Sequence, residues 1–215
     1  MVENPADMAL APGTVRHLPT GREIPLSRLA RMLTPAERSA TFHFRAPVSS
    51  QRLTDDENLR LHGFAHCISS FAVHVARVEV DTLTGKVSVV DYLTVSDCGR
   101  IINPVLFEGQ QEGAVAQGIG YALMEEMTSE NGRIATPDLT TYILPTACDV
   151  PRMQAVAVPV AEATGPFGLK GAGEIGIDGP APAVANAVAD ACGTRPLRFP
   201  ITAERMLDAL EGLEP

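Results

Sequence analysis

Gly165-Pro-Phe-Gly-Leu-Lys-Gly-Ala-Gly-Glu174-Ile-Gly-Ile-Asp-Gly-Pro-Ala-Pro182 sets six glycines and three prolines around Glu174. Glycine reaches backbone conformations closed to other residues and lets a ligand approach main-chain N–H groups. Directly after it, Ala181, Val184, Ala185, Val188 and Ala189 recur at helical spacing, which predicts a helix from Pro180 to Cys192 ended by Gly193. A glycine loop that feeds a helix N-terminus suits an anionic group. A carboxylate in such a loop is a candidate general base, because burial raises its pKa toward neutrality. The same pattern also fits a plain turn with a solvated glutamate. It is neither a P-loop, since no Gly-Lys-Ser/Thr follows, nor a dinucleotide fingerprint between a strand and a helix.

Upstream, Phe71 to Val80 and Lys86 to Val95 read as a hairpin across the turn residues Asp81 to Gly85. Strict alternation puts Val87, Val89 and Leu93 on one face and Val90 and Tyr92 on the other. Apolar residues on both faces predict a sheet covered on both sides, in part by a partner. Asn103 and Pro104 open a helix expected to reach about Met127. Its first half is crowded with small residues, and each helical glycine costs about 1 kcal/mol relative to alanine. Gln110 and Gln117 lie at i and i+7 on one face with Gly113 between them. That face suits either close packing or a hydrogen-bonding cofactor.

The remaining elements are shorter. Met1 to Pro12 reads as a loose lead-in. Thr14 to Leu18 and Glu23 to Leu26 read as strands about Pro19-Thr-Gly21. Ser27 is the expected N-cap of a helix over 28–33, ended by Pro35. Residues 40–46 alternate as a strand, and 48–61 read as a mobile connection. Asn131-Gly132 marks a turn. Asp138 to Leu144 and Met153 to Val160 read as strands, and Thr202 caps a final helix over 203–210. Strands and helices mix without regular βαβ alternation. The fold class expected is α+β, with mixed sheets and packed helices.

Composition narrows the function. The apolar fraction of 45% and charged fraction of 20% are those of a globular protein. A net charge of -9 argues against nucleic acid or an anionic membrane as partner. No apolar run is long enough for a bilayer, and the N-terminus lacks a secretory pattern, so a cytoplasmic protein is expected. Cys67, Cys98, Cys148 and Cys192 have neither iron–sulfur nor zinc spacing. They are expected to be reduced and half-buried. His43, His62, His66 and His74 form no recognisable ligand set, and no residue is assigned to a metal.

Lys170-Gly-Ala-Gly-Glu174 with Pro182-Ala-Val-Ala-Asn186-Ala-Val-Ala-Asp190-Ala resembles the C-terminal signature of the molybdopterin-binding subunit of the xanthine dehydrogenase / aldehyde oxidase family. That family also contains aerobic carbon monoxide dehydrogenases. Further matches follow the family's order: Val80-Asp81, Thr84-Gly85, Asp97-Cys-Gly99, Ile102-Asn-Pro104, Glu108-Gly-Gln110, Glu112-Gly113, Gln117-Gly-Ile-Gly120, Tyr142-Ile-Leu-Pro-Thr146 and Asp149-Val-Pro151. Together they extend over about residues 14–207.

The resemblance implies a molybdenum–molybdopterin cofactor, in the cytosine dinucleotide form of bacterial members. It implies that Glu174 is the catalytic base, taking a proton from a hydroxyl on the metal. It places Gly109, Gln110, Lys170, Gly171, Ala172 and Gly173 against the cofactor. It also implies [2Fe-2S] and FAD subunits on other chains, a second molybdenum-subunit half, and a higher-order hetero-oligomer. The expected substrate is an N-heterocycle or an aldehyde, hydroxylated with water-derived oxygen. Family subunits are several times longer, and their earlier half, with further cofactor loops and much of the substrate pocket, has no counterpart here. Ile175-Gly-Ile follows Glu174 where xanthine-oxidising members carry Pro-Pro, which brings the sequence nearer the carbon monoxide dehydrogenase-like branch. A split subunit is therefore expected, with 1–60 as a lead-in and 61–215 as the molybdopterin-binding domain. The alternatives are a non-catalytic interaction protein derived from a truncated subunit, and a small purine-binding protein without redox chemistry.

Overall fold

A computed structural model describes residues 4–41, 43 and 68–212. The chain divides into two units, Met1–Ala46 and Pro47–Pro215.

In the first unit, strands β1 (Met8–Ala11), β2 (Thr14–His17) and β3 (Glu23–Pro25) form an antiparallel sheet in that order. The expected loose lead-in is thus partly ordered. Pro12-Gly13, with Gly13 at φ 74°, closes a two-residue turn between β1 and β2. Proline followed by a positive-φ glycine is the pattern of a type II turn. Helix α1 (Leu26–Met32) starts before Ser27, with Pro25 at the cap position. No side-chain cap is needed there, because the Leu26 N–H donates to the Gly13 carbonyl at 2.9 Å. Residues 40, 41 and 43 form no strand; the rest of the expected strand over 40–46 and all of 48–61 lie outside the described residues.

In the second unit, β4 (Phe71–Val80) pairs antiparallel with β5 (Val87–Asp97) across the predicted turn. A bulge changes the faces expected of this hairpin. Arg77 pairs with Asp91 but Val78 pairs with Val89, so Val90 is the extra residue. An extra residue reverses the inside–outside alternation. Val89 and Tyr92 therefore share the buried face with Thr94 and Ser96, rather than lying on opposite faces.

Helix α2 (Pro104–Leu123) starts as predicted, with the Asn103 side chain accepting from the Leu106 N–H at 3.1 Å. It ends earlier than expected, where the Met124 and Glu125 N–H groups converge on the Gly120 carbonyl. A small hairpin, β6 (Ser129–Glu130) and β7 (Arg133–Ile134), turns through Asn131 and Gly132, both at positive φ. That is the pattern of a type I′ turn. The strand expected over Asp138 to Leu144 is a set of turns instead. The Asp138 carboxylate accepts from the N–H and hydroxyl of Thr140, and its carbonyl accepts from the Tyr142 N–H. Such local bonds compete with extended pairing.

Strand β8 (Arg152–Ala157) lies parallel to β5 and completes the order β4-β5-β8. Helix α3 (Pro180–Cys192) ends at Gly193 with φ 71°, as read from the sequence. Helix α4 (Ala203–Glu211) carries the predicted Thr202 cap, which accepts from the Arg205 N–H. The core forms where α2, α3 and α4 cover one face of the sheet. Val115, Ile119, Val184, Val188 and Met206 are all fully buried there. The architecture is the expected α+β. On the opposite face Phe71, Val73, Val75 and Val156 stand exposed. Among the described residues no helix is long and apolar enough to cross a membrane.

Candidate functional site

The site grows from the C-terminal end of β5. Gly99 sits at φ 71°, and a Cβ there would lie 2.5 Å from the Gly168 carbonyl oxygen. Only glycine permits this backbone-to-backbone approach. The Arg100 N–H donates to the Gly168 carbonyl, and the Lys170 N–H to the Cys98 carbonyl. These bonds stitch the glycine-rich loop to the strand. The Lys170 ammonium then turns inward, 2.6 Å from the Asp97 carboxylate, with both side chains largely covered. It also lies 5.7 Å from the centre of the Phe71 ring. The Lys170 bond, with that from the Gly99 N–H, holds the Asp97 carboxyl below its ordinary range.

Three successive carbonyls of the loop are then taken up by side chains. The Ser70 hydroxyl donates to Gly171 at 2.8 Å. Gln111 Nε2 donates to Ala172 at 3.4 Å, and Gln110 Nε2 donates to Gly173 at 2.5 Å. Because each partner is a carbonyl, the nitrogen of each amide must face the loop. Gln111 is fully buried, and its oxygen accepts from the Ser96 hydroxyl at 3.0 Å. Beyond Glu174 the chain turns, with the Ile177 N–H donating to the Glu174 carbonyl. Tyr121 donates from its hydroxyl to the Ile177 carbonyl. Gly176 packs on Ala114, where a Cβ would come within 2.8 Å.

Gln110 and the Gly171–Glu174 loop are thus brought together. Lys170 is joined to them by its backbone, while its side chain is committed to Asp97. Gln110, Gly171, Gly173 and Glu174 are exposed on this chain. The start of α3 is not the anion site that a glycine loop before a helix suggests. Pro180 and Pro182 carry no N–H, Pro180 is buried, and a Cβ at Gly179 would collide with the His74 ring. Among the described residues no His, Cys, Asp or Glu group could hold a metal ion. Cys98 is buried and Cys148 exposed, so only Cys192 of the described cysteines is half-buried as expected; all are free thiols.

Two features make the arrangement fit a bulky, hydrogen-bonding cofactor. The carbonyls of Gly171, Ala172 and Gly173 have partners, while their N–H groups find no acceptor among the described residues. In addition, the glycines of α2 divide into two classes. Gly118 and Gly120 are explained within the chain, by Pro180 and by Glu125 with Pro145. Gly109 and Gly113 face open space, as do Gly171 and Gly173. Glycines that cost helix stability and touch nothing mark a surface that something else approaches.

Ser70, His74, Asp97, Gln111 and Tyr121 were not assigned a role from sequence. Asp97 lies in a quoted motif, and Gln111 adjoins Gln110 on the buried side of an apolar helix. Those were the available signals.

A family profile described as "Molybdopterin cofactor-binding domain" matches residues 1–151. The chain is 35% identical over 183 residues to the aldehyde oxidoreductase molybdenum-binding subunit PaoC of Escherichia coli (strain K12), covering 83% of this chain and 25% of that protein. It is 32% identical over 214 residues to the 6-hydroxypseudooxynicotine dehydrogenase complex subunit gamma of Paenarthrobacter nicotinovorans, covering 98% of this chain and 26% of that one. In structure it is similar to quinoline 2-oxidoreductase from Pseudomonas putida 86, with a TM-score of 0.70 and 26% identity over 97% of this chain and 26% of that one. The chain therefore spans about a quarter of the length of these relatives. The chain belongs to the molybdopterin cofactor-binding domain family, among the molybdenum-binding subunits of the xanthine dehydrogenase / aldehyde oxidoreductase group.

Proposed function

We propose that this chain supplies the base-bearing part of a molybdenum hydroxylase site, and that Glu174 is the base. The observation that carries the proposal is the bond from Gln110 to the Gly173 carbonyl. That bond ties the residue before Glu174 to α2, the helix on which Gly109 and Gly113 leave space. Gly109, Gln110, Lys170, Gly171, Ala172 and Gly173 would hold the molybdenum cofactor, in its cytosine dinucleotide form. The main-chain N–H groups of Gly171 and Gly173 would donate to its polar atoms. The second N–H of the Gln110 amide would donate there as well. The cofactor, when bound, supplies the two-electron redox chemistry.

Glu174 then has one task, to take a proton from the water-derived hydroxyl that attacks the substrate carbon. Its carboxylate is exposed on this chain. Cover by a partner would exclude bulk water from the site. Residues 61–215 form the cofactor-binding domain in this proposal, and 1–60 the lead-in. A second molybdenum-subunit half, with iron–sulfur ([2Fe-2S]) and FAD subunits, completes a cytoplasmic hetero-oligomer. The exposed apolar face of the β4-β5-β8 sheet gives such a partner a surface. The substrate is an N-heterocycle or an aldehyde, in keeping with the names of the relatives.

The test is to purify the natural complex through this chain and analyse it for molybdenum and pterin. Near-stoichiometric amounts of both support the proposal. A complex free of molybdenum overturns it and favours a non-catalytic interaction protein.

A further inference from the structure

His74 is a half-buried titratable group that the proposed chemistry does not use. It lies on the covered side of β4, beneath the turn that follows Glu174. Its ring occupies the space a side chain at Gly179 would need. Its Nδ1 is 2.9 Å from the Tyr92 hydroxyl, and the two rings meet edge to face at 5.8 Å. Burial pushes Tyr92 far above its ordinary pKa, so the phenol keeps its proton. A protonated phenol can donate to Nδ1 or accept from it. The Ile175 carbonyl accepts only, and it is this group that calls for the ring proton on Nε2, with the phenol then donating to Nδ1. Burial also pushes His74 below its ordinary value, against weaker opposing effects of the Ile175 carbonyl and Asp178. Of the groups around it, Asp178 is the charged one, while Tyr92 and Tyr121 hold their protons.

The Nε2 atom is buried and has no partner at bonding geometry. The Ile175 carbonyl is the backbone acceptor close enough to favour its protonated form. A buried donor left unpaired is costly, so a small closing movement of the turn would be stabilised.

We propose that His74 is a positioning residue for the Glu174 loop, its Nε2–H donating to the Ile175 carbonyl and so setting the peptide that follows the base. The proposal rests on the reading of Glu174 as base, but its test does not. In the full chain, long-range proton–nitrogen correlation of the His74 ring should show the proton on Nε2. The Ile177 amide, which closes the turn on the Glu174 carbonyl at 3.0 Å, reports loop order. His74→Leu should speed its hydrogen exchange roughly tenfold, the effect of one ordinary hydrogen bond. His74→Gln restores a donor near the Nε2 position and should stay within about twofold of wild type. The amides of α3 should be unchanged in both. In the assembled complex His74→Leu should lower kcat with KM nearly unchanged.

A ring proton on Nδ1 overturns the proposal. So does His74→Gln exchanging as fast as His74→Leu, or neither variant differing from wild type. If His74→Leu also loosens α3, the tautomer and His74→Gln decide. Should Glu174 prove not to be the base, turnover of a Glu174 variant would show it, while the ring proton and the Ile177 amide would still decide the role of His74.

Discussion

Lys170 and Asp97 meet at 2.6 Å, one at the head of the glycine-rich loop and the other at the end of β5. The pair ties the loop that carries Glu174 to the C-terminal end of the sheet's central strand. The Lys170 bond and the Gly99 N–H hold the Asp97 carboxyl below its ordinary value. A carboxyl lowered in the folded state stabilises above its unfolded pKa, about 3.9, and loses that contribution as pH falls through its folded value. Loop amide protection should therefore be flat from pH 5 to 8 and decline below about pH 4. Asp97→Asn should shift or remove that acid decline. Hydrogen exchange of the Lys170 amide across this range checks it.

Gln111 is predicted to matter for stability more than Gln110. It is fully buried and bridges the Ser96 hydroxyl to the Ala172 carbonyl. Gln111→Leu would leave the Ala172 carbonyl without its partner and the Ser96 hydroxyl with Thr94 alone, at a cost of about 1–3 kcal/mol. Gln110→Ala, at an exposed position, should change thermal stability by about 0.5 kcal/mol or less. In the complex it should lower molybdenum content instead. Calorimetry of the chain and metal analysis of the complex separate the two glutamines.

The α2 glycines allow a sharper contrast. Gly113→Ala adds a Cβ into open space, so the chain should gain up to about 1 kcal/mol of stability. Cofactor loading of the complex should fall at the same time. Gly118→Ala would bring a Cβ within 2.5 Å of Pro180 at the start of α3 and should destabilise the chain. Thermal melts and pterin content measure both. A Gly113→Ala complex that loads cofactor normally would mean this face does not carry the ligand.

Much of this was legible in the sequence because the signals were local. Proline at the start and glycine after the end bounded α3, and Asn103-Pro104 opened α2. Turn residues between two apolar runs gave the β4–β5 hairpin. The glycine loop announced itself by composition. What escaped was long-range or masked by ambiguity. Val87, Val89, Val90 and Leu93 are apolar on both faces, so alternation could not reveal the bulge at Val90. Asp138 and its threonines had a strand-like pattern, but their side chains bond the backbone locally. The bonds from Ser70, Gln110 and Gln111 to the loop join residues far apart in the chain. Spacing along a sequence carries no trace of such contacts.

The central claim is that Glu174 is a base held at a cofactor face by α2 and β5. Its most direct test is turnover of the Glu174→Gln complex, with subunit composition and molybdenum content measured on the same sample. The account predicts normal assembly and metal content with turnover reduced on the order of a hundredfold or more, as for loss of a general base. Turnover within about twofold of wild type in a fully loaded complex would contradict it.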